Sequence, residues 1–502
     1  MTGRPATNLH RKLIKKKTVL FQFSLIFKDI SAIYNLKPTA VKIKETIYEN
    51  SPVWLQNSVV AAYGYYWKKR RFSNLFEEEY FKAREREGFS LAEWQEYVQL
   101  QIRRLMLHAF NTVPFYHDRF LRSGFNETKL KTITVDRLSQ LPVLQKDDFR
   151  KNGTTTMLSS NLQPNGIYLK SSGSSGTPTQ TRFSHAMHQR WYALMESRVR
   201  NWAGVSSNIP RGMIGGRKIM AGSNQKPPFY RYNPFEKQTY FSAFHISEKN
   251  ASSYLEGMKK HLVEYMTGYA MSNYFLATNL QQCGLTAPPM KAVITSSENL
   301  TAEMRSLLER TYDCKVFNSW SGIEACGLVS ECKAGNLHIH LDAGWIELLD
   351  RDLHPVKSGQ PGDVYCTGFL NYDQPLIRYK IGDQMVFSGE SCSCGSQLPV
   401  VKEIIGRCED VVYGKDGRKM VRFHNVFKST PVIQKAQVFQ DSLDYIVLKI
   451  ISDRPLRRQE VEVLNRKIHT QLGKIEVRIE RVNEIPLTAN GKFKAVVSTI
   501  TF

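Results

Sequence analysis

The chain has 502 residues, too many for one compact core, so we expect two or three domains. Its 42% hydrophobic and 23% charged residues are typical of a soluble globular protein. The eight cysteines are spread through a long chain, which excludes a small disulfide framework and indicates a reducing compartment, the cytoplasm. The formal net charge of +23 suits a protein that handles anionic small molecules, polyanions or an acidic membrane surface. Because the basic residues are spread along the chain, we expect solvated faces and no nucleic-acid partner.

A basic extension covers residues 1–50. Its apolar run Val19–Phe27 is interrupted by Gln22 and is followed by no small-residue cleavage site, so no signal peptide is predicted. The run is also shorter than the roughly 20 apolar residues that a membrane-spanning helix needs. Two interpretations stay open: a helix docked on the protein, and a basic amphipathic helix that makes a peripheral contact with an acidic membrane surface.

The region after this extension is predicted to be helical and rich in aromatic residues. Pro52–Phe81 is helix-like, and we interpret its rings as a packing surface or as the interface of a homodimer. Trp94–Phe110 has apolar residues at helical spacing, which predicts a buried amphipathic helix. Pro114 ends that helix because proline disfavours the helical conformation of the residue before it. Leu141–Lys146 closes the helical region.

The stretch Ser171–Thr179 follows a strand-like run, Gly166–Lys170, and is rich in glycine and hydroxyl groups. Its two glycines allow the backbone to turn sharply and to approach a ligand closely. Successive N–H groups in such a turn can form a concave nest for an anion, and the hydroxyls add donors, so phosphate is the expected guest. No Lys-Ser or Lys-Thr pair follows the second glycine, so this is not a Walker loop. A flexible surface linker is the alternative for this stretch taken alone.

After the loop, predicted strands and helices alternate, which indicates α/β layering. The predicted strands are Gly212–Gly216, Ala292–Thr295, Lys315–Asn318 and Trp345–Leu349, and the predicted helices are Ala186–Ala203, Ser247–His261 and Ala302–Thr311. Farther along, the predicted elements are shorter: Ala436–Phe439 and Tyr445–Ile451 as strands, and Arg458–Leu472 as a helix. We therefore predict an α/β protein with a large domain of layered α/β subdomains over residues 51–405 and a small α+β domain over residues 406–502.

Five further stretches, taken with the loop, give a specific resemblance. They are Tyr265–Tyr269 with Ser297–Asn299, Phe317–Glu324, Arg378–Asp383, Gly406–Asp410 and Leu487–Lys492. In this order they resemble the segments of adenylate-forming enzymes, including an aromatic-Gly-x-Glu segment, a Tyr-x-x-Gly-Asp segment and a Gly-Arg-x-Asp-Asp hinge in which Glu409 stands for an aspartate. Within that superfamily, the Pro-x-Trp-Leu-Gln-Asn opening and the Leu-Pro-Val-Leu segment are similar to the phenylacetate–coenzyme A ligase and CapK-like branch.

A thiol pattern adds to the resemblance. Cys332 and His338 are six residues apart, and Cys392 and Cys394 lie in a Cys-x-Cys-Gly turn. Three thiolates and one imidazole suit a closed tetrahedral Zn²⁺ site, which is structural because no position stays open for water. Some members of the resembled branch carry such a site. His340 competes for the imidazole position because residues two apart on a strand share a face, but the spacing favours His338; scattered buried cysteines are the alternative.

The resemblance implies a role for each matching residue. The loop would hold the β- and γ-phosphates of ATP, Glu324 would hold Mg²⁺, and Asp383 would bind the ribose hydroxyls. Lys492 would bridge the substrate carboxylate and the α-phosphate, so Lys492 and Glu324 are the implied catalytic residues. The small domain would be mobile about the hinge. The implied nucleotide-binding residues are Ser171, Ser172, Gly173, Ser174, Ser175, Gly176, Thr177, Glu298, Asn318, Ser319, Trp320, Ser321, Asp383 and Arg407.

The implied reaction is the ATP-dependent activation of a carboxylic acid as its acyl-adenylate, with release of pyrophosphate and transfer to a thiol. Coenzyme A is the expected acceptor, and a carrier-protein thiol is the second. The implied acyl pocket consists of Tyr240, His245, Gly268, Tyr269 and Asn273. CapK-like transfer to a carrier protein or a sugar in capsule biosynthesis is an alternative, and a non-catalytic binding module is another.

One residue departs from the resembled pattern. Thr179 stands where most relatives have a lysine, which removes a positive charge near the expected phosphates. Arg182 is the nearest basic side chain in the sequence that offers compensation.

Overall fold

The computed structural model describes residues 47–171, 178–217, 219–220, 226–298, 300–405, 412–420, 423–427, 430–485 and 496–500. Most of the predicted basic extension, the hinge segment and the segment around Lys492 therefore lie outside the described residues. Within the described part, none of the helices is both long enough and apolar enough to cross a bilayer.

The sequence predicts a helical N-terminal region, and residues 53–152 contain six α-helices. They are α1 (Val53–Arg71), α2 (Asn74–Glu85), α3 (Leu91–Thr112), α4 (Pro114–Arg122), α5 (Glu127–Lys131) and α6 (Lys146–Asn152). The central helix, α3, begins at a capping box in which the Ser90 hydroxyl accepts a hydrogen bond from the Glu93 N–H while the Glu93 carboxylate accepts one from the Ser90 N–H. The predicted break at Pro114 is confirmed, because that proline occupies the first turn of α4.

A two-stranded antiparallel sheet brackets the glycine-rich loop. Strand β1 (Ile167–Lys170) pairs with β2 (Gln180–Phe183), and Lys170 faces Gln180 at the end of the ladder where the loop begins. Helix α7 (His185–Leu194) follows β2 and continues into a π-helical turn, Met195–Arg200. The hairpin therefore fixes both ends of the loop relative to each other.

One mixed sheet of twelve strands forms the centre of the large domain, in the order β11-β12-β13-β14-β10-β9-β8-β7-β6-β3-β5-β4. The strands are β3 (Arg211–Gly215), β4 (Tyr230–Asn233), β5 (Gln238–Ser242), β6 (Tyr265–Tyr269), β7 (Ala292–Ser296), β8 (Val316–Trp320), β9 (Val329–Glu331), β10 (Leu337–Ile339), β11 (Gly344–Leu349), β12 (Pro361–Gly368), β13 (Tyr379–Phe387) and β14 (Val400–Ile404). The neighbours β8, β7, β6, β3 and β5 are parallel, whereas β8 pairs with β9 in the antiparallel sense. The parallel arrangement ends at β8.

Helices cover both parts of the sheet. The covering helices of the parallel part are α8 (Ala251–Lys260), α9 (Ala270–Gln282) and α10 (Ala302–Tyr312). Their apolar residues form one core with β3, β5, β6 and β7, and those of α3 form another with β9 to β14. The helices and strands predicted in this region are confirmed, with ends that differ by a few residues at most.

The C-terminal part has its own sheet and core. Its elements are β15 (Val412–Tyr413), β16 (Lys419–Met420), α11 (His424–Phe427), β17 (Ile433–Gln440), β18 (Tyr445–Ser452), α12 (Arg458–Leu472), β19 (Glu476–Arg481) and β20 (Val496–Ser498). Four of the strands form a mixed sheet in the order β19-β18-β17-β20, and the apolar face of α12 joins its core. The predicted α/β class, with a sheet-rich large domain and a C-terminal domain, is confirmed.

Candidate functional site

The carboxyl ends of the parallel strands meet at one edge of the large sheet. In open α/β sheets, ligands bind in the crevice outside this edge. Residues that the sequence singled out follow these ends: His245 after β5, Tyr269 at the end of β6, Glu298 after β7, and Glu324 after β8. The fold therefore places residues that are far apart in the sequence along a single edge.

Glu324 is a buried carboxylate, only 5% exposed, whose hydrogen-bonding partners are neutral. The hydroxyls of Thr179 and Tyr379 both donate to its Oε1 atom, over 3.0 and 3.3 Å. A side chain on Gly322 would begin 2.5 Å from the other oxygen, Oε2, so the carboxylate lies against bare backbone. No basic side chain of the described residues forms an ion pair with Glu324, and a carboxylate oxygen is the type of ligand that a hard cation such as Mg²⁺ prefers.

The base of the glycine-rich loop is held closed beside this carboxylate. The Ser171 N–H donates to the Thr179 carbonyl over 3.0 Å, and the Thr179 N–H donates to the Ser171 hydroxyl over 2.9 Å. Ser172, Gly173, Ser174, Ser175, Gly176 and Thr177 lie outside the described residues. Arg182 forms an ion pair with Asp373 over 3.1 Å and donates to the Gln163 carbonyl, so these two groups engage its guanidinium.

Asp383 is oriented by an indole from the neighbouring segment. Trp320 Nε1–H, at the end of β8, donates to Asp383 Oδ2 over 3.2 Å. The adjacent Ser319 hydroxyl donates to the Thr295 carbonyl, and the Asn318 N–H donates to Glu331. The Asn318 side chain accepts a hydrogen bond from the Thr295 hydroxyl over 3.3 Å, so Asn318 and Ser319 both bond to β7, whereas Ser321 is partly exposed. Arg407 and Lys492 lie outside the described residues.

Two of the predicted pocket residues make polar contacts beside β5. The His245 ring hydrogen-bonds with the Ser242 hydroxyl over 2.7 Å and stacks on Phe229. Tyr240 is buried, which raises the pKa of its phenol. The Arg217 guanidinium lies 4.7 Å from the centre of the Tyr240 ring, in cation–π geometry. The structure therefore gives this side of the sheet edge a polar and aromatic character.

The remaining predicted pocket residues shape the backbone at the end of β6. Gly268 has φ of +125°, and a side chain there would collide with the carbonyl oxygen of Ile214 on β3, so only glycine fits. Asn273 is completely buried and donates to the Tyr269 carbonyl over 2.8 Å. The Glu298 carboxylate accepts a hydrogen bond from the Met271 N–H at the start of α9, which is a helix-capping contact. Gly268 and Asn273 therefore have structural reasons for their identity, and both fix the backbone beside Tyr269, whose role in a pocket stays a prediction.

The structure brings Cys332, His338, Cys392 and Cys394 together, with all their ligand atoms within 4.8 Å of one another. The Cys332 and Cys392 sulfurs are 3.7 Å apart, and the Cys394 sulfur is 3.5 Å from His338 Nε2. A tetrahedral Zn²⁺ ion, with Zn–S of about 2.3 Å and Zn–N of about 2.0 Å, would set such pairs about 3.8 and about 3.5 Å apart. The four residues therefore fit a zinc ion.

Neighbouring polar groups orient the His338 ring and favour the thiolate form of Cys392, and both effects suit metal binding. The His338 Nδ1 atom lies 3.1 Å from the Leu398 carbonyl, which directs Nε2 toward the thiols, and burial lowers the pKa of this imidazole. Burial opposes ionisation of Cys392, but hydrogen bonds from the Cys394 N–H and from Asn336 lower the pKa of its thiol. His340, the competing imidazole, instead hydrogen-bonds with the Ser330 hydroxyl over 2.7 Å.

A second buried carboxylate, Asp342, was not anticipated from the sequence. Its Oδ2 atom accepts from Arg198 Nη2 over 2.8 Å and from Arg86 Nε over 3.2 Å, and Arg198 also pairs with Glu87. Burial by itself would raise the pKa of Asp342, but the charges of Arg198 and Arg86 hold it at about 2. Neither the hydroxyl partners of Glu324 nor this charge network has a sequence signal, because each depends on tertiary contacts.

Comparisons with known proteins agree with this arrangement. Residues 412–499 match the CapK C-terminal domain family. The chain is 27% identical to Protein CapK of Staphylococcus aureus over 470 residues, which cover 90% of this chain and 99% of that relative. It is 20% identical to the phenylacetate–coenzyme A ligase of Thermus thermophilus over 322 residues, 62% of this chain and 70% of the relative.

Solved structures extend the similarity to the fold. The structure of 2-hydroxyisobutyryl-CoA ligase in complex with 2-HIB-AMP and CoA in the thioesterification state is similar with a TM-score of 0.54 and 17% identity, over 82% of this chain and 91% of that one. The same enzyme in its postadenylation state gives a TM-score of 0.50 and 16% identity over 82% and 91%. The chain is therefore a homologue of CapK, with a lower similarity to phenylacetate–coenzyme A ligase.

Proposed function

We propose that this protein activates a carboxylic acid as its acyl-adenylate, with release of pyrophosphate, and transfers the acyl group to a thiol. The observation that carries the proposal is Glu324, a buried carboxylate with neutral partners, placed at the carboxyl edge of the parallel strands beside the base of the glycine-rich loop. Homology to phenylacetate–coenzyme A ligase supports the same reaction class.

Each residue then has a defined task in the proposed reaction. The loop Ser171–Thr177 binds the β- and γ-phosphates through backbone N–H groups, and Asp383, oriented by Trp320, accepts hydrogen bonds from the ribose. Glu324 would hold Mg²⁺, which would neutralise the negative charge of the triphosphate. The substrate carboxylate attacks the α-phosphorus, and Lys492 stabilises the charge that develops there. Because no covalent nucleophile of the protein is needed, positioning and charge neutralisation supply the rate enhancement.

The acceptor has two candidates, each with its own support. Coenzyme A is favoured by the phenylacetate–coenzyme A ligase relative. A carrier protein or a sugar of a capsule polysaccharide is favoured by CapK, which matches over nearly its whole length. Product analysis by mass spectrometry separates them: an acyl-coenzyme A product supports the first, whereas acyl-adenylate that persists with coenzyme A present supports the second.

The main test is ATP–pyrophosphate exchange over a panel of aromatic, fatty and amino acids with Mg²⁺. We expect exchange with one class of acid, and its loss in Lys492→Ala. Lys474→Ala, an exposed lysine of the same C-terminal domain, is the matched control and should keep full exchange. Loss of exchange in both variants, or none of the acids supporting exchange while ATP still binds, would contradict the proposal.

We also propose a structural Zn²⁺ ion in the cluster of Cys332, His338, Cys392 and Cys394, since these residues offer three thiolates and one imidazole at tetrahedral spacing. Metal analysis should find about one zinc per chain in the wild type, and much less in Cys392→Ser. Equal zinc in both proteins would refute the site. A homodimer, a cytoplasmic location and a peripheral membrane contact through residues 1–50 stay predictions.

A further inference from the structure

Two hydroxyl groups from distant parts of the chain meet at one oxygen atom of Glu324. Thr179 precedes β2 and Tyr379 begins β13, yet both donate to Oε1, and both side chains are completely buried. We propose that Thr179 and Tyr379 are positioning residues that fix the Glu324 carboxylate, so that Oε2 is presented to the divalent cation of a bound nucleotide. This inference rests on the proposed function.

The charge of the donors supports this assignment. A basic side chain in the place of either hydroxyl would bring a positive charge against Glu324. A hydroxyl orients the carboxylate through one hydrogen bond and brings no positive charge of its own. The two hydroxyls therefore hold the carboxylate in position without adding a positive charge that would compete with a cation.

Thr179 also connects Glu324 to the loop. Its backbone N–H and carbonyl are both bonded to Ser171, which closes the loop base, while its side chain reaches Glu324. Since one residue makes both sets of contacts, the position of the loop base and the position of the carboxylate depend on each other. A nucleotide whose phosphates contact the loop and whose cation contacts Glu324 would therefore bind two groups that Thr179 links to each other.

Tyr379 is held by the Leu-Pro-Val-Leu segment that the sequence singled out without a role. The Leu144 N–H donates to the Arg378 carbonyl over 2.9 Å, and the Lys380 N–H donates to the Leu144 carbonyl over 3.0 Å. These two bonds flank Tyr379, and the Phe149 ring packs edge-on against the tyrosine ring at 5.5 Å. The segment therefore fixes where the phenol points.

The experiment measures cation binding directly, without turnover. Mn²⁺ is titrated into full-length protein that contains an ATP analogue with a methylene group between the α- and β-phosphorus atoms, and free Mn²⁺ is read by electron paramagnetic resonance. We expect Thr179→Val and Tyr379→Phe each to weaken Mn²⁺ binding about tenfold, the size associated with one hydrogen bond to a charged group. Thr179→Ser keeps the hydroxyl and should bind as the wild type does.

Tyr116→Phe is the matched control for Tyr379→Phe. Tyr116 is equally buried, and its hydroxyl bonds the Pro375 carbonyl and the Ile377 N–H with no contact to Glu324, so its loss should leave Mn²⁺ affinity unchanged. Unchanged affinity in both Thr179→Val and Tyr379→Phe, or an equal loss in Tyr116→Phe, would overturn the inference. Failure of the wild type to bind the analogue with Mn²⁺ would instead overturn the proposed function.

Discussion

Two buried carboxylates, Glu324 and Asp342, lie in the same domain and differ in the charge of their partners. Asp342 accepts hydrogen bonds from two guanidinium groups, those of Arg198 and Arg86, through one oxygen. Glu324 also accepts two hydrogen bonds through one oxygen, but both come from neutral hydroxyls. The two carboxylates are buried to nearly the same extent, so the sites differ mainly in the charge of the hydrogen-bond donors.

The difference shows how a fold distinguishes a structural acid from a ligand. A carboxylate neutralised by arginines is already compensated and has little attraction left for a cation, whereas one held by hydroxyls is fixed in position yet uncompensated. Glu324 also lies at the carboxyl edge of the parallel strands, which is where open α/β sheets generally bind their ligands. The predictions below separate the two roles.

The largest effect on stability is expected for Asp342→Asn. This change leaves the Arg198 guanidinium, which is completely buried, without its closest anionic partner, and breaking one side of a buried pair typically costs about 3–5 kcal/mol. Urea denaturation should show this loss in the free energy of unfolding, while exchange activity persists where the protein is folded. Asp352→Asn, an exposed acid, should change the free energy of unfolding by less than about 0.5 kcal/mol.

Glu324→Gln should show the reverse pattern. Removing the charge that faces the cation should lower ATP–pyrophosphate exchange roughly 100-fold, as loss of one preorganised electrostatic group does in other enzymes. The free energy of unfolding should change by less than about 1 kcal/mol, because the amide oxygen still accepts from both hydroxyls. If Glu324→Gln destabilises the protein as much as Asp342→Asn does, the comparison between the two carboxylates is wrong.

A smaller effect is expected from pH. The pKa of Asp342 is lowered to about 2 in the folded protein. As the pH falls, this carboxylate is therefore protonated in the unfolded state before it is protonated in the folded state. The network's contribution, about 2 kcal/mol, is complete above pH about 4 and is lost between about 4 and 2. Urea denaturation at a series of pH values should show this loss in the wild type and a shallower one in Asp342→Asn. Equal slopes would contradict the assignment.

Gly322→Ala tests how closely Glu324 must be placed. The new methyl would lie 2.5 Å from Glu324 Oε2 and 2.9 Å from Ile381 Cδ1, and both atoms are the ends of side chains that can shift. We expect exchange to fall about tenfold, equivalent to about 1.4 kcal/mol, with little change in the melting temperature. Gly88→Ala is the control, since a side chain there meets open space. Full activity in Gly322→Ala would show that the carboxylate tolerates displacement.

Much of this arrangement is predictable from sequence, and the limits have physical causes. The order of segments points to Glu324, and hydrophobic spacing predicts the elements that carry it. Tyr379 belongs to the Tyr-x-x-Gly-Asp segment. The direction of its side chain, however, depends on the backbone pairing with Leu144, which no local sequence pattern predicts. Arg198 falls inside the predicted helix Ala186–Ala203. The π-helical turn Met195–Arg200 changes the number of residues per turn, so a 3.6-residue spacing does not predict which basic side chain of this helix is buried.

The contacts of Glu324 span long stretches of chain, 145 residues to Thr179 and 55 to Tyr379. Forming each contact closes a large loop of chain, which costs conformational entropy. We therefore expect the N-terminal helices, whose contacts are local, to form before the contacts of Glu324. In a refolding experiment, circular dichroism of the helices should therefore recover before binding of Mn²⁺ with nucleotide. During that interval the helices would be folded while the nucleotide and cation site is still incomplete. The time that a newly made chain needs to become active is then set by its slowest long-range contacts.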